Sequence, residues 1–218
     1  MYKDGKLKMV KPKIAIIDYK MCNLFSVEHA CRYVGGDPII TTKPEDVRSA
    51  DAVILPGVGA FHDAISNLRE LGMDTAIIDV ISGGIPFMGI CLGFQLLFSS
   101  SEEFGTSNGL GVFNGAVRKF PRDVNGYTLK IPQMGWNSIS INKESHILKG
   151  VNDDTYMYFV HSFYVLPEDN DIILTKTTYS DFEYCSSISD TNVFACQFHP
   201  EKSGEEGIKI YRNWVASI

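Results

Sequence analysis

The sequence lacks several features that would assign it to particular classes of protein. No apolar run approaches the length of a membrane-spanning helix, and the basic N-terminal residues contain no apolar segment typical of a secretory signal. The five cysteines are odd in number and include no C-x-x-C pair, so they offer no template for zinc. These absences favour a protein of the reducing cytoplasm that uses no metal and no cofactor.

Phosphate-binding glycine loops and a basic surface are also missing. Neither G-x-x-x-x-G-K-[ST] nor G-x-G-x-x-G occurs. The formal net charge of −6 argues against a nucleic-acid-binding surface. No internal repeat or low-complexity linker divides the chain, so we expect one domain over residues 13–218. Residues 1–12 precede the first apolar run, and we expect them to form a disordered N-terminal arm.

Apolar runs alternate with amphipathic segments in the N-terminal half. Residues 13–19, 38–41 and 51–55 are typical of buried parallel strands, and the segment from Leu24 to Val34 has a helical period that ends at two glycines. Strands and helices joined by short loops predict right-handed crossovers. The first half is therefore predicted to be an α/β fold: a doubly wound, mostly parallel sheet with helices on both faces, which binds ligands at the carboxyl ends of its strands.

The pattern becomes rich in β-strand residues after about Ser100. Eight short segments, the last of them Val193–Phe198, are bounded by turn residues. They predict an additional antiparallel β layer in the C-terminal half, with its last strand returning to the core. The chain then closes with an amphipathic helix.

The segment Pro86–Phe98 resembles a strand that turns sharply into a helix. Gly89 and Gly93 flank Cys91 at two residues on either side, which is the G-x-S-x-G nucleophile elbow with sulfur in place of oxygen. A thiol at the start of a helix faces unpaired N–H groups, which favour the thiolate. Taken alone, the same residues equally fit a small core cysteine packed between glycines.

A nucleophilic cysteine needs a base, and the base needs a group that orients it. His199 ends the last apolar run, and Glu201, two residues further on, points to the same side of an extended chain. Pro200 between them stiffens the backbone. An ordinary polar turn is the alternative. His161 also ends a strand, where it could line a site or simply bond to the backbone.

Two glycines also follow the strand that ends at Leu55. The backbone N–H groups of Gly57, Val58 and Gly59 are free to turn toward a developing negative charge. Together with the N–H of Leu92, which follows the nucleophile, they are predicted to form an oxyanion hole.

Three separated motifs in this order resemble those of the class I (triad) glutamine amidotransferases. They are the loop 56–59, the elbow 89–93 and the segment 199–201. The segments 133–137, 158–162 and 197–203 narrow the resemblance to the glutaminase subunits of imidazole glycerol phosphate synthases. The likeness extends from about Lys13 to the C-terminus.

The resemblance implies a Cys-His-Glu triad. Cys91 would attack the carboxamide of glutamine, His199 would shuttle protons and Glu201 would orient it, so that a thioester forms, ammonia leaves and glutamate is released. The family positions that hold glutamine match Gln95, Glu103, Val160, His161 and Ser162.

The resemblance also implies a partner. In such systems ammonia passes to a (β/α)8-barrel cyclase subunit, which forms a heterodimer with the glutaminase, switches it on and makes imidazole glycerol phosphate for histidine biosynthesis. Asn23, Trp136 and Lys202 match positions at that interface. The loop 57–59 could act as the gate, because glycines make rotation of its peptides cheap.

Two departures from the family pattern keep other functions open. Lys20-Met21-Cys22-Asn23 replaces a usual Gly-x-Gly-Asn or Gly-x-Ala-Asn, and Gln133 replaces a usual histidine. Related glutaminase–barrel pairs use the ammonia to amidinate surface-polysaccharide sugars. A γ-glutamyl hydrolase or cysteine peptidase is a further alternative, disfavoured by Glu201 and the segments around Trp136 and His161. A non-catalytic subunit is disfavoured by the intact triad.

Overall fold

A computed structural model describes residues 11–218 of the chain. The predicted arm over residues 1–12 lies almost wholly outside the described residues and stays a prediction. The description begins just before the first strand, where the Pro12 carbonyl accepts a hydrogen bond from the N–H of Asp37 at 2.9 Å. Between residues 11 and 218, no helix is both long and apolar enough to cross a membrane.

Fifteen strands and six α-helices make up the described fold. The strands are β1 Lys13–Ile17, β2 Asp37–Thr41, β3 Ala52–Leu55, β4 Phe87–Ile90, β5 Phe98–Ser101, β6 Ser107–Asn108, β7 Phe113–Lys119, β8 Asp123–Val124, β9 Tyr127–Thr128, β10 Gln133–Ile141, β11 Thr155–His161, β12 Phe163–Pro167, β13 Ile173–Tyr179, β14 Phe182–Asp190 and β15 Val193–Cys196. The helices are α1 Leu24–Tyr33, α2 Pro44–Arg48, α3 Phe61–Glu70, α4 Met73–Ser82, α5 Leu92–Leu96 and α6 Gly204–Val215. Short 3-10 turns cover His146–Leu148, Asn170–Ile172 and Pro200–Lys202.

The centre of the fold is a five-stranded parallel sheet in the order β2-β1-β3-β4-β15. Alternate residues of its strands are buried on opposite faces: Ile14 and Ile16 contribute to one apolar cluster, and Ala15 and Ile17 to the other. Helices α1 and α6 cover the first face, and α2, α3 and α4 cover the second. Burial on both faces explains why β1 and β3 are uninterrupted apolar runs.

Antiparallel strands extend this sheet beyond β15. Strand β14 pairs antiparallel with β15, β12 and β13, and β10 joins β11 to β13. The predicted doubly wound α/β fold with an added antiparallel layer is therefore confirmed. Because β15 pairs in parallel with β4, the carboxyl ends of these two strands, and the residues that follow them, lie side by side.

The helix after the elbow is shorter than the sequence pattern indicates. The apolar run to Phe98 predicts a continuous helix, but α5 ends at Leu96 and Phe98 starts β5. The Leu96 carbonyl accepts a hydrogen bond from the N–H of Leu110, and strand β5 pairs with β7. Tertiary pairing thus overrides the local helical pattern at this point.

Candidate active site

Cys91 occupies a strained turn between β4 and α5. Its backbone has φ +54° and ψ −107°, a conformation that residues with a side chain rarely adopt. The turn is held by the Cys91 N–H, which donates to the carbonyl of Cys196 at 2.8 Å. Gly93 permits close packing behind the turn, because a Cβ there would lie 1.8 Å from the Leu55 carbonyl oxygen. The predicted elbow geometry is thus present at Cys91.

The thiol of Cys91 is buried beneath a cavity and lies near two polar groups. The side-chain amide of Gln197 donates to Sγ at 3.5 Å, and Sγ is 4.0 Å from the carbonyl oxygen of Val160. Helix α5 contains five residues, so its dipole adds less to the stabilisation of a thiolate than a longer helix would. The Gln197 amide is therefore a donor in direct contact with the sulfur.

His199 and Glu201 form a buried pair directly after β15. Nδ1 of His199 lies 2.7 Å from Oε1 of Glu201, and the two side chains are 3% and 1% exposed. The backbone of His199 is fixed at both ends: its N–H donates to the carbonyl of Tyr158 at 2.9 Å, and its carbonyl accepts from the hydroxyl of Ser203 at 2.7 Å. Glu201 thus fixes the orientation of the imidazole ring.

The remaining ring nitrogen of His199 is available for chemistry. Nε2 is buried and has no hydrogen-bond partner in the part of the chain that the structure describes. Burial lowers the pKa of His199, but attraction to a thiolate at Cys91 and the bond to Glu201 outweigh it and raise the pKa from 6.5 to about 10. The site is therefore electrostatically suited to a thiolate–imidazolium pair.

A cavity of about 330 Å³ opens above Cys91. It contains the predicted nucleophile and most of the residues predicted to bind glutamine or an oxyanion. The lining residues are Val58, Gly59, Cys91, Leu92, Gln95, Glu103, Pro132, Val160, His161, Ser162 and Phe163. Gly57 does not line the cavity and packs instead against Tyr19 and Leu92.

Gln95 and Glu103 are held in the cavity wall by bonds to the protein itself. The amide nitrogen of Gln95 donates to the carbonyl of Phe163 at 3.1 Å and to the side chain of Gln197 at 2.9 Å. Oε2 of Glu103 accepts from the N–H of Phe61, at the start of α3, at 2.7 Å. The wall is thus preorganised, and the oxygen atoms of both side chains are the groups with capacity to accept hydrogen bonds from a ligand.

His161 has a structural side chain. Its Nδ1 lies 2.7 Å from the carbonyl of Phe163, and its Nε2 lies 3.2 Å from the hydroxyl of Tyr184. Burial lowers the pKa of His161 to about 4, so the ring is neutral at physiological pH. Since both ring nitrogens are engaged, the backbone is the part of this residue that can contact a ligand.

Two of the predicted oxyanion donors are occupied. The N–H of Val58 donates to the carbonyl of Met21 at 2.9 Å, and the N–H of Leu92 donates to the carbonyl of Gly57 at 3.4 Å. Gly59 has φ +103°, a conformation that glycine adopts without strain. In this conformation the loop does not offer the Val58 and Leu92 donors to a ligand in the cavity.

Gln197 is a site residue that the sequence reasoning did not assign. It is fully buried and connects Gln95 to the thiol of Cys91 through its side-chain amide. A signal was present, because Gln197 precedes His199 by two residues and so points to the same side of an extended chain.

The predicted interface residues lie outside the cavity. Trp136 is 55% exposed, and its ring packs edge-to-face on Tyr158 with centroids 6.2 Å apart. Lys202 is exposed and holds its ammonium 5.9 Å from the centre of the same Tyr158 ring. The ring of Tyr158 in turn lies 6.4 Å from that of His199. Asn23 is half-buried and precedes α1.

Comparison with known proteins assigns this chain to a family. Residues 15–218 match the family model described as glutamine amidotransferase class-I, so the chain belongs to the class I glutamine amidotransferases. The resemblance inferred from the motifs is confirmed, as is the prediction that the chain is a glutaminase of this class.

Within that class, the curated relatives are named imidazole glycerol phosphate synthase subunit HisH. The subunit from Caldanaerobacter subterraneus subsp. tengcongensis is 49% identical over 205 residues, which cover 94% of this chain and 98% of the relative. The subunit from Thermosynechococcus vestitus is 44% identical over 211 residues, which cover 96% and 99%.

Solved structures agree on the fold at much lower identity. A structure of PurLQS from Thermotoga maritima superposes with a TM-score of 0.72 at 19% identity and covers 95% of this chain and 99% of that chain. At that identity the likeness shows the fold alone.

Proposed function

We propose that this chain is the glutaminase subunit of an imidazole glycerol phosphate synthase and acts in the cytoplasm. One observation supports the reaction: the strained Cys91 and the residues predicted to bind glutamine line the same cavity. The His199–Glu201 pair lies close enough to Cys91 to interact with it electrostatically. The names and the 43–49% identity of the curated relatives support the pathway. The five free cysteines support a reducing compartment.

The reaction follows from the roles that the geometry allows. The Cys91 thiolate attacks the carboxamide carbon, and the carbonyl oxygen becomes an oxyanion. Collapse of this intermediate breaks the C–N bond, and His199 supplies the proton with which ammonia leaves. Water then attacks the thioester while His199 accepts its proton, and glutamate leaves as the Cys91 thiolate is restored.

Occupied oxyanion donors support a need for a partner. Attack would place negative charge where neither the Val58 nor the Leu92 N–H is free to stabilise it. Rotation of the Gly57–Val58 peptide would release both donors at once. The proposed trigger for that rotation is contact with a barrel subunit at the surface around Trp136, Tyr158 and Lys202.

The acceptor of the ammonia is tested by identifying the partner. A pull-down with the chain as bait yields the partner, and glutamate release is then measured with the pair plus either the histidine-pathway ribonucleotide or nucleotide-linked amino sugars. Stimulation by the ribonucleotide is expected. Stimulation by the amino sugar alone would overturn the histidine-pathway assignment and favour sugar amidination.

Trp136→Ala is expected to weaken the affinity for the barrel partner by about ten-fold or more, because exposed aromatic anchors often dominate interfaces. The matched control is Tyr33→Ala, an aromatic side chain of similar exposure at the opposite end of α1 from Asn23. Partner affinity is measured by titrating the stimulation of glutamate release. Equal affinities for the two variants would contradict the proposed interface.

Glu201→Gln is expected to shift the alkaline limb of the kcat/KM profile for glutamine to lower pH by about one unit or more. The Glu201 carboxylate helps to raise the pKa of His199, so the variant should lose the imidazolium at a lower pH than the wild type. We also expect a rate about ten-fold lower. The control is Glu205→Gln, an exposed carboxylate on α6. Superimposable profiles for Glu201→Gln and wild type would rule out this role.

A further inference from the structure

The hydroxyl group of Tyr19 is buried without a hydrogen bond. Tyr19 follows β1, is fully buried, and its hydroxyl has no partner among residues 11–218. The thiol of Cys22 lies within hydrogen-bonding range of it, but a thiol is a weak hydrogen-bonding group, and this one is directed at the carbonyls of Ile17 and Pro56. A buried hydroxyl with no stronger partner than a thiol is unfavourable, so its presence in a packed core calls for an explanation.

This hydroxyl lies directly against the backbone of Gly57. A Cβ built on Gly57 would come within 2.1 Å of the Tyr19 hydroxyl oxygen. The absence of a side chain at Gly57 is therefore what lets the hydroxyl approach the loop. Tyr19 does not line the cavity, so it reaches the site from behind.

Rotation of the Gly57–Val58 peptide would create a need for one hydrogen bond. At present the Gly57 carbonyl accepts from the N–H of Leu92, and the Val58 N–H donates to the carbonyl of Met21. A half-turn of the peptide would bring the Val58 N–H beside that of Leu92, as an oxyanion hole requires. The same half-turn would point the Gly57 carbonyl at the Met21 carbonyl, where it would need a new donor.

We propose that Tyr19 is a positioning residue for the oxyanion loop: its hydroxyl donates to the Gly57 carbonyl once the peptide has rotated. Tyr19 and Met21 belong to the same loop, on the side to which that carbonyl would turn. Burial raises the pKa of Tyr19 well above its usual value, so the hydroxyl keeps its hydrogen at physiological pH. The inference rests on the proposed function, since it assigns a residue to the gate of that same site.

Tyr19→Phe keeps the ring and removes the hydroxyl. Without partner, the rotated state is a minor population, and losing one hydrogen bond is expected to lower kcat by about three- to ten-fold. With partner, kcat should fall by the same factor or less, because the partner already favours the rotated state. KM for glutamine should stay within about two-fold, because Tyr19 does not reach the cavity. The melting temperature should stay the same or rise, because an unpaired buried hydroxyl is removed.

The matched control is Thr177→Val, which removes another buried hydroxyl, on β13 and outside the loop. Its kcat should equal that of the wild type. Glutamate release is measured for all three proteins with and without the barrel partner, together with thermal unfolding. Wild-type kcat for Tyr19→Phe in both states, or a fall equal to that of Thr177→Val, would overturn the inference. The proposed function is tested separately, with the wild-type protein alone. If the partner did not stimulate its glutamate release, the proposed function would be overturned.

Discussion

Cys91→Ala is expected to lower the rate of glutamine hydrolysis by about 10⁴-fold or more, since removing the nucleophile of a triad eliminates the covalent route. The fold should persist, because the strained turn is held by backbone contacts of Cys91, Cys196 and Gly93 rather than by the thiol. Any residual rate would come from binding and from water activated by His199.

Two measurements separate this expectation from a general loss of structure. Glutamate release is followed with the partner present, and labelling by a glutamine-analogue electrophile is mapped by mass spectrometry. The control is Cys185→Ala, a buried free cysteine on β14 that does not line the cavity. We expect label on Cys91 in the control and none in Cys91→Ala. A rate for Cys91→Ala within about ten-fold of wild type, or label on another cysteine, would exclude Cys91 as the nucleophile.

The parts of the site that could be predicted from the sequence depend on short-range geometry. An elbow needs glycines two residues from the nucleophile, and a base with its orienting group can lie two residues apart, so both leave local patterns at 89–93 and 199–201. The parallel pairing of β4 with β15 then places the two patterns side by side. Alternating apolar runs predicted that sheet, although they could not specify its strand order.

Features that escaped prediction depend on contacts between distant segments. Gln197 reaches a thiol 106 residues away in sequence, and its position two residues before His199 indicates the side it faces but not that partner. Helix α5 ends early because β5 pairs with β7, which outweighs its helical periodicity. The orientation of the Gly57–Val58 peptide is set by hydrogen bonds to Met21 and Leu92, and composition alone does not reveal those partners.

Helix propensity and packing have opposite effects on the stability of Gly93→Ala. Alanine favours a helix over glycine by about 1 kcal/mol, and Gly93 lies within α5, so propensity alone predicts a gain in stability. Packing predicts the reverse, because the new Cβ would lie 1.8 Å from the carbonyl oxygen and 2.8 Å from the carbonyl carbon of Leu55. Both atoms are backbone of β3, in the middle of the sheet, and have little freedom to move. We therefore expect a net loss of about 3 kcal/mol or more in the free energy of unfolding.

Gly89→Ala is the matched comparison on the other side of Cys91. Its Cβ would meet neighbours at 3.1 to 3.2 Å, which small shifts can relieve, so we expect a smaller loss of about 1 kcal/mol. Urea unfolding of both variants and wild type gives the two differences directly. If Gly93→Ala were as stable as wild type, α5 would have to move away from β3. Cys91 would then sit on a movable helix, and the preorganised elbow on which its reactivity depends would no longer hold.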